Sequence, residues 1–459
     1  MYESINHLLE VVNGWLWGWP MIIILFGCHL FLTIRLRFPQ RYIFKAIRLS
    51  VTRDDRSSEG DVSQFGALVT SLAATIGTGN IIGVATAIAL GGPGAVLWCW
   101  MSGFLGIATK YAEALLSVKY RVRGDKGTMI GGPMYALERG LNMKWMGMLF
   151  CVVTLMASFG IGNTVQSNAM AMVITENTGV SLHIVGVVIA LLVGVVIFTG
   201  IKGIAKVCSQ LVPIMAIAYV AGCVWIMVIN WAYLWPAISL IFESAFTPQA
   251  AGGGFVGSAV IAAARFGIAR GLFSNESGLG SAPIVAAAAK SRNPVRQALV
   301  SSTGTFWDTV VICAITGIVL VSSVLANPDI DSTVQGGMLT QMAFSQIPYI
   351  GTTILTVGIA TFAFSTILGW GYYAERAVEY LSGTRYLMVF RVVWVVMIYF
   401  GAILNLSIVW NFSDIMNAMM ALPNILSLVL LSGVAVNETR KFLWEGRLDE
   451  YSHDDESLE

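Results

Sequence analysis

The sequence predicts an all-α protein that crosses a membrane many times. Hydrophobic residues make up 56% of the 459 residues, charged residues make up only 12%, and the mean hydropathy is +0.74. These values are typical of polytopic membrane proteins and unlike those of a soluble domain. In addition, glycine and small polar residues interrupt two of the long apolar segments, at 77–80 and at 271–280. The interruptions predict two discontinuous helices inside the membrane.

About twenty apolar residues are enough to cross a bilayer, and the sequence holds about eleven segments of this kind. They are residues 14–36, 65–90, 95–118, 145–174, 184–200, 204–230, 255–289, 298–326, 351–381, 387–408 and 412–436. Lysine and arginine residues follow the odd-numbered segments, as with Arg37, Arg121 and Lys441, whereas the other loops nearly lack them. The positive-inside rule therefore predicts an outer N-terminus and a cytoplasmic C-terminus.

The order of the segments predicts a repeat. Residues 1–50 form an accessory membrane helix followed by a basic inner-surface segment. The remaining ten segments divide into two sets of five, within residues 61–230 and 255–436, and each set opens with an interrupted helix. An odd number of spans in each half places the halves in opposite orientations, which is an inverted repeat. Residues 437–459 are expected to be a cytoplasmic acidic tail, disordered after Arg447.

Composition and motifs argue against enzymes and nucleic-acid binders. The net charge is +1, so no basic field points to nucleic acid. The six cysteines include no CxxC pair, and the four histidines are scattered without metal-ligand spacing. Nucleotide-hydrolysis, metalloprotease and serine-hydrolase signatures are absent from the sequence. We therefore expect no catalytic residues.

The two interruptions carry the functional prediction. The first is Gly77-Thr78-Gly79-Asn80, and the second lies within 271–280. Free backbone N–H and C=O groups in hydrocarbon cost several kcal/mol each unless protein, water or a ligand satisfies them. Two broken helices at matching places in two halves predict a transporter whose site lies between the breaks, near the midplane of the membrane.

Four ordered motifs resemble the alanine/glycine:cation symporter family, the sodium:alanine symporters. They are TIGTGNIIG at 75–83, GGPG at 91–94, GGPMY at 131–135 and GLFSNESGLGSAP at 271–283. The resemblance spans nearly the whole chain. It implies a leucine-transporter-like fold of five plus five helices with one extra helix in front. It also implies sodium-coupled uptake of a small neutral amino acid, most often alanine or glycine, across the plasma (inner) membrane of a prokaryote.

The resemblance also implies a substrate site made by both breaks. Backbone amides of the first break would bind the substrate carboxylate, as a half-helix N-terminus binds anions. Carbonyls of the second break would face the ammonium group. For Gln166 an interhelical hydrogen bond and for Trp370 simple packing are the alternatives. The implied substrate residues are Gly77, Thr78, Gly79, Asn80, Gln166, Phe273, Ser274, Asn275, Gly278 and Trp370.

For the ion, the resemblance implies neutral oxygen ligands, which suit a hard monovalent cation that must also leave. The implied sodium ligands are the carbonyls of Ala73, Ile76 and Phe362 with the hydroxyls of Ser365 and Thr366. The alternative for the two hydroxyls is a bond back to the preceding helical turn. A second ion position, found in some relatives, would involve Thr75, Asn80 and Ser274.

Charged residues inside the apolar segments are expected to have functional roles by default. Glu276 is compatible with pairing the substrate ammonium, binding the cation, carrying a proton, or capping the amides of 278–280, and capping or gating is favoured. Arg270 lies six positions earlier and could form a gate pair with Glu276.

Other charges lie at or near membrane depth. Asp308 and Arg265 fall within apolar segments. The charged pairs near inner helix ends, Lys110 with Glu113 and Glu375 with Arg376, are expected to form solvated or snorkelling faces.

These observations predict a sodium-coupled symporter for a small neutral amino acid that works by alternating access. Close backbone at Gly77, Gly79 and Gly278, with Phe273 and Trp370 filling the remaining space, favours alanine, glycine or serine over leucine. Proton coupling through Glu276 is the leading alternative, and a passive channel is a weaker one.

Overall fold

The computed structural model describes residues 2–52, 58–124, 127–247, 260–333, 337–404 and 407–452. These residues are almost entirely helical. Within them the sheet structure is one antiparallel ribbon, in which Val122–Arg123 pairs with Met129–Ile130. The predicted all-α class is therefore confirmed for the part of the chain that the structure describes.

The helices in chain order are α1 (Tyr2–Leu16), α2 (Trp19–Arg35), α3 (Ile43–Ser50), α4 (Gln64–Thr75), α5 (Val84–Gly91), α6 (Ala95–Lys119), α7 (Pro133–Tyr135), α8 (Lys144–Ala157), α9 (Val165–Thr178), α10 (Leu182–Ile197), α11 (Gly200–Ile229), α12 (Trp231–Phe246), α13 (Val260–Asn275), α14 (Pro283–Ala286), α15 (Pro294–Thr305), α16 (Ala314–Ala326), α17 (Met338–Phe344), α18 (Gly351–Ser382), α19 (Leu387–Ile403), α20 (Ser407–Leu430) and α21 (Ser432–Thr439). Short π-helical turns at Ser158–Thr164 and Phe306–Cys313 connect α8 to α9 and α15 to α16.

Length and hydropathy identify six helical runs in the described residues that could cross a membrane, and the bent pair α4–α5 would add a seventh. One of the six, Gly351–Ile403, has 53 residues. At 1.5 Å per residue it is far longer than a bilayer of about 30 Å, and it contains both α18 and α19. The faces of these helices fit lipid: α11, for example, exposes 67% of Ile214 and 69% of Ile217. The total of eleven spans remains a prediction.

Both predicted helix breaks are present. The first interrupted segment consists of α4 and α5, whose axes are bent by 52° at a short break. The second consists of α13 and the single turn α14, separated by irregular residues 276–282. Residues 255–259 of that predicted segment lie outside the described residues. Helix α6 packs against α13, and α18 packs against α4, so both interrupted helices are enclosed by other helices.

The remote ends of the two interrupted helices are joined by backbone hydrogen bonds. The N–H groups of Asp61 and Val62 donate to the carbonyl of Ala288 at 2.8 and 3.1 Å, and Lys290 N–H donates to the Val62 carbonyl at 2.8 Å. Gly60 fits here because its φ is +149° and because a Cβ would lie 2.5 Å from the Lys290 nitrogen. We call residues 60–62 with 288–290 the inner junction.

The C-terminal segment departs from its prediction. Helix α21 and a π-helical turn at Arg440–Trp444 continue past residue 437, and Lys119 forms an ion pair with Glu438 at 3.0 Å. Beyond Arg447, Arg296 pairs with Asp449 at 2.7 Å, and the Asn293 amide donates to the carbonyls of Leu448 and Glu450. The prediction of disorder is therefore wrong for residues 448–452, because loop side chains supply partners for their backbone. Residues 453–459 lie outside the described residues.

Gly60→Ala tests the inner junction. The new methyl group must push the junction apart and adopt a φ that favours glycine, so we expect a loss of about 1–3 kcal/mol of folding stability. The measurement is the thermal unfolding midpoint of detergent-purified protein, with size-exclusion chromatography after heating as the readout. Gly27→Ala is the control, because Gly27 lies in α2 with no atom within 4 Å of the added carbon. Equal midpoints for the two variants would contradict the constraint.

Candidate functional site

The first break is shaped by an asparagine that caps it. Helix α4 ends at Thr75, and Ile76 takes an extended conformation with φ −73° and ψ 98°. The side-chain oxygen of Asn80 accepts a hydrogen bond from Gly77 N–H at 2.9 Å. The amide of Gly77 is therefore already used within the protein, whereas Thr78 and Gly79 begin the second half-helix.

The second break is held by Glu113 of α6. Glu276, Gly278 and Gly280 have φ values of 54°, 90° and 86°, which takes the chain out of helical geometry. One carboxylate oxygen of Glu113 accepts the N–H groups of Gly278 and Gly280 at 3.0 and 3.1 Å. The Asn424 amide donates to the same oxygen at 2.7 Å and to the Gly278 carbonyl at 2.9 Å.

This arrangement corrects two predictions. The N–H groups at 278–280 are capped by Glu113, so Glu276 does not have the capping role that we favoured for it. Glu113 is 2% exposed and Lys110 is also 2% exposed, so neither forms a solvated face. Sequence position placed these residues near a helix end, but α6 is covered by neighbouring helices at that depth.

A small pocket lies where the two breaks meet, with a cavity volume of about 20 Å³. A Cβ placed on Gly79 would lie 3.5 Å from the ring of Phe273 and 3.6 Å from the Cα of Ser274, so the breaks are in contact. The predicted residues that line the pocket are Gly77, Thr78, Gly79, Gln166, Phe273, Ser274 and Trp370. The pocket is also lined by Ala74, Thr75, Ile161, Glu276, Thr366 and Asn417.

Three of the predicted substrate residues do not line this pocket. Asn80 is turned toward Asp308, the side chain of Asn275 accepts a hydrogen bond from Ser277 N–H at 2.9 Å, and Gly278 is bonded to Glu113 and Asn424. Conversely, Asn417 of α20 was missed by the sequence reasoning. It is 1% exposed, and its side-chain oxygen has no hydrogen-bond partner within the described residues. An asparagine in the middle of an apolar segment was the available signal.

Glu276 lies in the pocket wall and is bonded to neutral groups. Trp370 Nε1 donates to one carboxylate oxygen at 3.1 Å, and the Ser281 hydroxyl donates to the other at 2.5 Å. The predicted gate pair with Arg270 is wrong, because Arg270 lies on the far side of Phe273 and forms no ion pair within the described residues. The left-handed backbone at Glu276 directs the two side chains apart.

The predicted sodium ligands converge at the first break. The hydroxyls of Ser365 and Thr366 each lie 3.2 Å from the Ala73 carbonyl oxygen, and the Ser365 hydroxyl lies 2.9 Å from the Phe362 carbonyl oxygen. The hydroxyls therefore reach across to α4 and are not committed only to their own helix. A Cβ on Gly77 would lie 2.8 Å from Thr366 Oγ1, which places this oxygen cluster against the substrate pocket. Ile76 lies at the break itself.

A buried carboxylate links the two breaks. Asp308 is fully buried, and it accepts hydrogen bonds from the Asn80 amide at 2.8 Å, the Ser274 hydroxyl at 2.9 Å and the Thr309 hydroxyl at 2.7 Å. The Asn80 amide also donates to Ser274 Oγ at 2.9 Å. The sequence identified Asp308 only as a charge at membrane depth. Its contacts with Asn80 and Ser274 become visible only when the helices are packed.

Glu375 and Arg376 are also buried, at 1% and 8% exposure, and this corrects the prediction of a solvated pair. The Arg376 guanidinium donates to Glu375 at 2.7 Å, and Arg391 of α19 donates to both Glu375 oxygens at 2.8 Å. Arg376 also pairs with Glu379. The charges are thus neutralised inside the protein between α18 and α19.

Within the described residues, no group of three or more His, Cys, Asp or Glu side chains could hold a metal ion. The six cysteines are all buried and unpaired, as the sequence indicated.

Comparisons with known proteins identify the family of this chain. The model of the "Sodium:alanine symporter family" matches residues 2–455. The chain is 47% identical over 442 residues to "Sodium/alanine symporter AgcS" of Methanococcus maripaludis, covering 95% of this chain and 96% of that protein. It is also 47% identical over 457 residues to an uncharacterized transporter of Haemophilus influenzae, covering 98% and 99%.

Among solved structures, the amino acid-bound protein described as "MhsT in complex with L-phenylalanine" matches with a TM-score of 0.58 at 15% identity, covering 83% of this chain and 98% of that chain. At this identity the likeness supports the fold alone. The full-length family match and the 47% identity to a named symporter support the conclusion that this chain is a membrane transporter that belongs to the sodium:alanine symporter family.

Proposed function

We propose that this protein carries alanine, and also glycine, into the cell together with sodium ions by alternating access. The observation that carries the proposal is the contact between the two helix breaks around a small pocket that adjoins an oxygen cluster. The proposed arrangement is one accessory segment, 1–50, followed by inverted repeats at 61–230 and 255–436. The proposed site is the inner membrane of a prokaryote, with an outer N-terminus and a cytoplasmic C-terminus.

Backbone and neutral groups hold the amino acid in this proposal. Its carboxylate faces the start of the half-helix at Thr78 and Gly79, where amide dipoles favour an anion. Its ammonium faces the unpartnered oxygen of Asn417 and the carboxylate of Glu276. Gln166 lies next to Thr78, whose hydroxyl is 3.4 Å from the Gln166 amide oxygen, and so fixes the position of Thr78.

The small volume supports a small substrate. A cavity of about 20 Å³ holds little more than one water molecule, which needs about 10–15 Å³. Entry of even alanine therefore requires Phe273 or Trp370 to move. Trp370 packs closely against Gly162, because a Cβ added to Gly162 would lie only 2.3 Å from the Trp370 Cβ. The tryptophan therefore has little room to move, and we assign the movement to Phe273.

Sodium binding uses the carbonyls of Ala73, Ile76 and Phe362 and the hydroxyls of Ser365 and Thr366. The ligand set fits, because both hydroxyls lie 3.2 Å from the Ala73 carbonyl oxygen, the Ser365 hydroxyl also lies 2.9 Å from the Phe362 carbonyl oxygen, and the set contains no carboxylate. When an ion binds, the hydroxyl protons turn away and their lone pairs face the cation. Thr366 also lines the substrate pocket, so ion binding and amino acid binding share one side chain. This sharing is the free-energy link that symport requires.

A second ion position is proposed beside Asp308. It extends the position expected at Thr75, Asn80 and Ser274 by one carboxylate. Asp308 adds a carboxylate beside the Ser274 hydroxyl, and the Asn80 side chain turns its amide nitrogen toward Asp308 because its oxygen is bonded to Gly77 N–H. A cation there would offset a buried charge that otherwise depends on hydrogen bonds alone.

The alternatives are weaker. For proton coupling, Glu276 is 4% exposed and both of its oxygens accept hydrogen bonds from neighbouring side chains, so it has little contact with the water that would exchange a proton. For a passive channel, the collapsed pocket of about 20 Å³ offers no continuous pore.

The principal test is uptake into proteoliposomes. We expect radiolabelled alanine to accumulate with an inward sodium gradient and not with an inward proton gradient alone. The double variant Ser365→Ala with Thr366→Ala should lower the apparent sodium affinity by about tenfold or more, because it removes both hydroxyl ligands. A tenfold change corresponds to about 1.4 kcal/mol. Thr361→Ala is the control, because Thr361 lies half-buried on the same helix and its hydroxyl bonds back to the Val357 carbonyl. Unchanged sodium dependence in the double variant would overturn the ion site.

Gly79→Ala tests the size of the pocket. Its methyl group would lie 3.5 Å from Phe273, which is ordinary contact in the empty pocket but removes space from the substrate. We expect the ratio of alanine to glycine kcat/KM to fall by about tenfold or more, the usual value of one methyl group in a confined site. Gly83→Ala, one turn further along, should leave the ratio unchanged because its Cβ has no heavy atom closer than 4.0 Å. An equal loss for both substrates would place the amino acid elsewhere.

A further inference from the structure

A second cavity lies on the other side of Phe273 from the pocket. We call it the charged chamber, with a volume of about 230 Å³. Three helices form most of its walls: α1 contributes Glu10 and Asn13, α13 contributes Arg265 and Arg270, and α20 contributes Asp414, while Trp17 lies in the turn after α1. Phe273 belongs to the walls of both the chamber and the pocket. It therefore forms the partition between them.

The chamber contains two opposite charges that are not paired. Arg270 has a cation–π contact with Phe273 at 6.0 Å and forms no ion pair within the described residues. The Asp414 oxygen Oδ1 is buried and has no hydrogen-bond partner there. The Arg270 guanidinium and Asp414 Oδ1 line the same cavity but do not form an ion pair with each other. The cavity therefore has a positive end and a negative end.

The accessory helix keeps Asp414 in this position. The Asn13 amide donates to Asp414 Oδ2 at 3.3 Å, and Trp17 Nε1 donates to the Asp414 carbonyl at 2.8 Å. The remaining oxygen, Oδ1, is left without a partner. Arg265 is held by its own bond to the Gly14 carbonyl at 3.1 Å, which leaves Arg270 as the chamber guanidinium that has no hydrogen-bond partner among the described residues.

We propose that the charged chamber is a second, transient binding site for a zwitterionic amino acid. The α-carboxylate contacts the Arg270 guanidinium, and the α-ammonium contacts Asp414 Oδ1. The volume of about 230 Å³ holds a small amino acid with water around it. The proposal rests on the proposed function, because the amino acid would bind in the chamber before Phe273 moves and admits it to the pocket. It gives the accessory helix a role in substrate capture.

The first experiment separates the two sites. Gly79→Leu fills the pocket, so any remaining amino acid binding must occur elsewhere. In this background, Glu10→Cys provides an exposed thiol at the chamber, and the native cysteines are buried. The rate of labelling by a membrane-impermeant methanethiosulfonate is measured with and without millimolar alanine. We expect alanine to slow labelling several-fold, and Arg270→Gln to abolish this protection.

The control is Asn177→Cys, an exposed position at the end of α9 that does not line the chamber, where alanine should have no effect. The result that overturns the proposal is protection of Glu10→Cys when Gly79 is intact and none when Gly79→Leu fills the pocket. That pattern would mean that alanine acts only through the pocket.

The second experiment uses transport kinetics. In otherwise native protein, Arg270→Gln should raise the KM for alanine about tenfold while kcat changes less than twofold, and Arg270→Lys should retain part of the affinity. The rival explanation is that Arg270 and Asp414 form only an ion pair that closes the site. In that case Arg270→Gln lowers kcat and leaves KM unchanged, and the double variant that exchanges the two charges restores transport. This result overturns the proposal. Failure of the wild-type protein to take up alanine with sodium would instead refute the proposed function, because the labelling measurement does not depend on uptake.

Discussion

The site depends on satisfying backbone groups that have left a helix inside a low-dielectric environment. A buried amide without a partner costs roughly 1–3 kcal/mol, and the irregular segment at 276–282 would contain several. One oxygen of Glu113 takes two of these amides, and Asn424 secures both that oxygen and the Gly278 carbonyl. Because Glu113 and Asn424 come from α6 and α20, the second break keeps its shape with no ligand present. The pocket is therefore preorganised on one side.

The first break follows the same rule with a different consequence. Asn80 uses its oxygen for the Gly77 amide and its nitrogen for Ser274 and Asp308. One side chain thus connects the shape of the first break to that of the second. Thr366 forms a second connection, since it contacts both Gly77 and the Ala73 carbonyl. Any ligand that displaces one of these bonds changes the energy of the other break, which is the physical content of coupling.

Buried charge is distributed unevenly. Around the breaks, Glu113, Glu276 and Asp308 are carboxylates that bond mainly to amides, hydroxyls and an indole. Near the inner junction, the carboxylates of α18 are instead paired with arginines. A carboxylate that is held by neutral donors keeps its negative potential available to a passing cation, whereas a carboxylate paired with arginine does not. This difference separates the proposed ion sites from the structural ion pairs.

The family resemblance on the sequence motifs and the interrupted segments established the membrane class, both helix breaks and the contact between Ala73, Ser365 and Thr366. The breaks were predictable because a glycine-rich interruption of an apolar segment has few physical solutions, whereas the approach of Ser365 and Thr366 to Ala73 was expected from the family resemblance alone. The sequence also determined the high apolar and low charged content that separates this chain from soluble enzymes. It did not determine the roles of Glu113, Asp308, Asn417 and Arg270. Sequence position gives the depth of a side chain along its own helix, but the neighbour that it faces depends on how helices distant in sequence pack, and only the tertiary structure decided that.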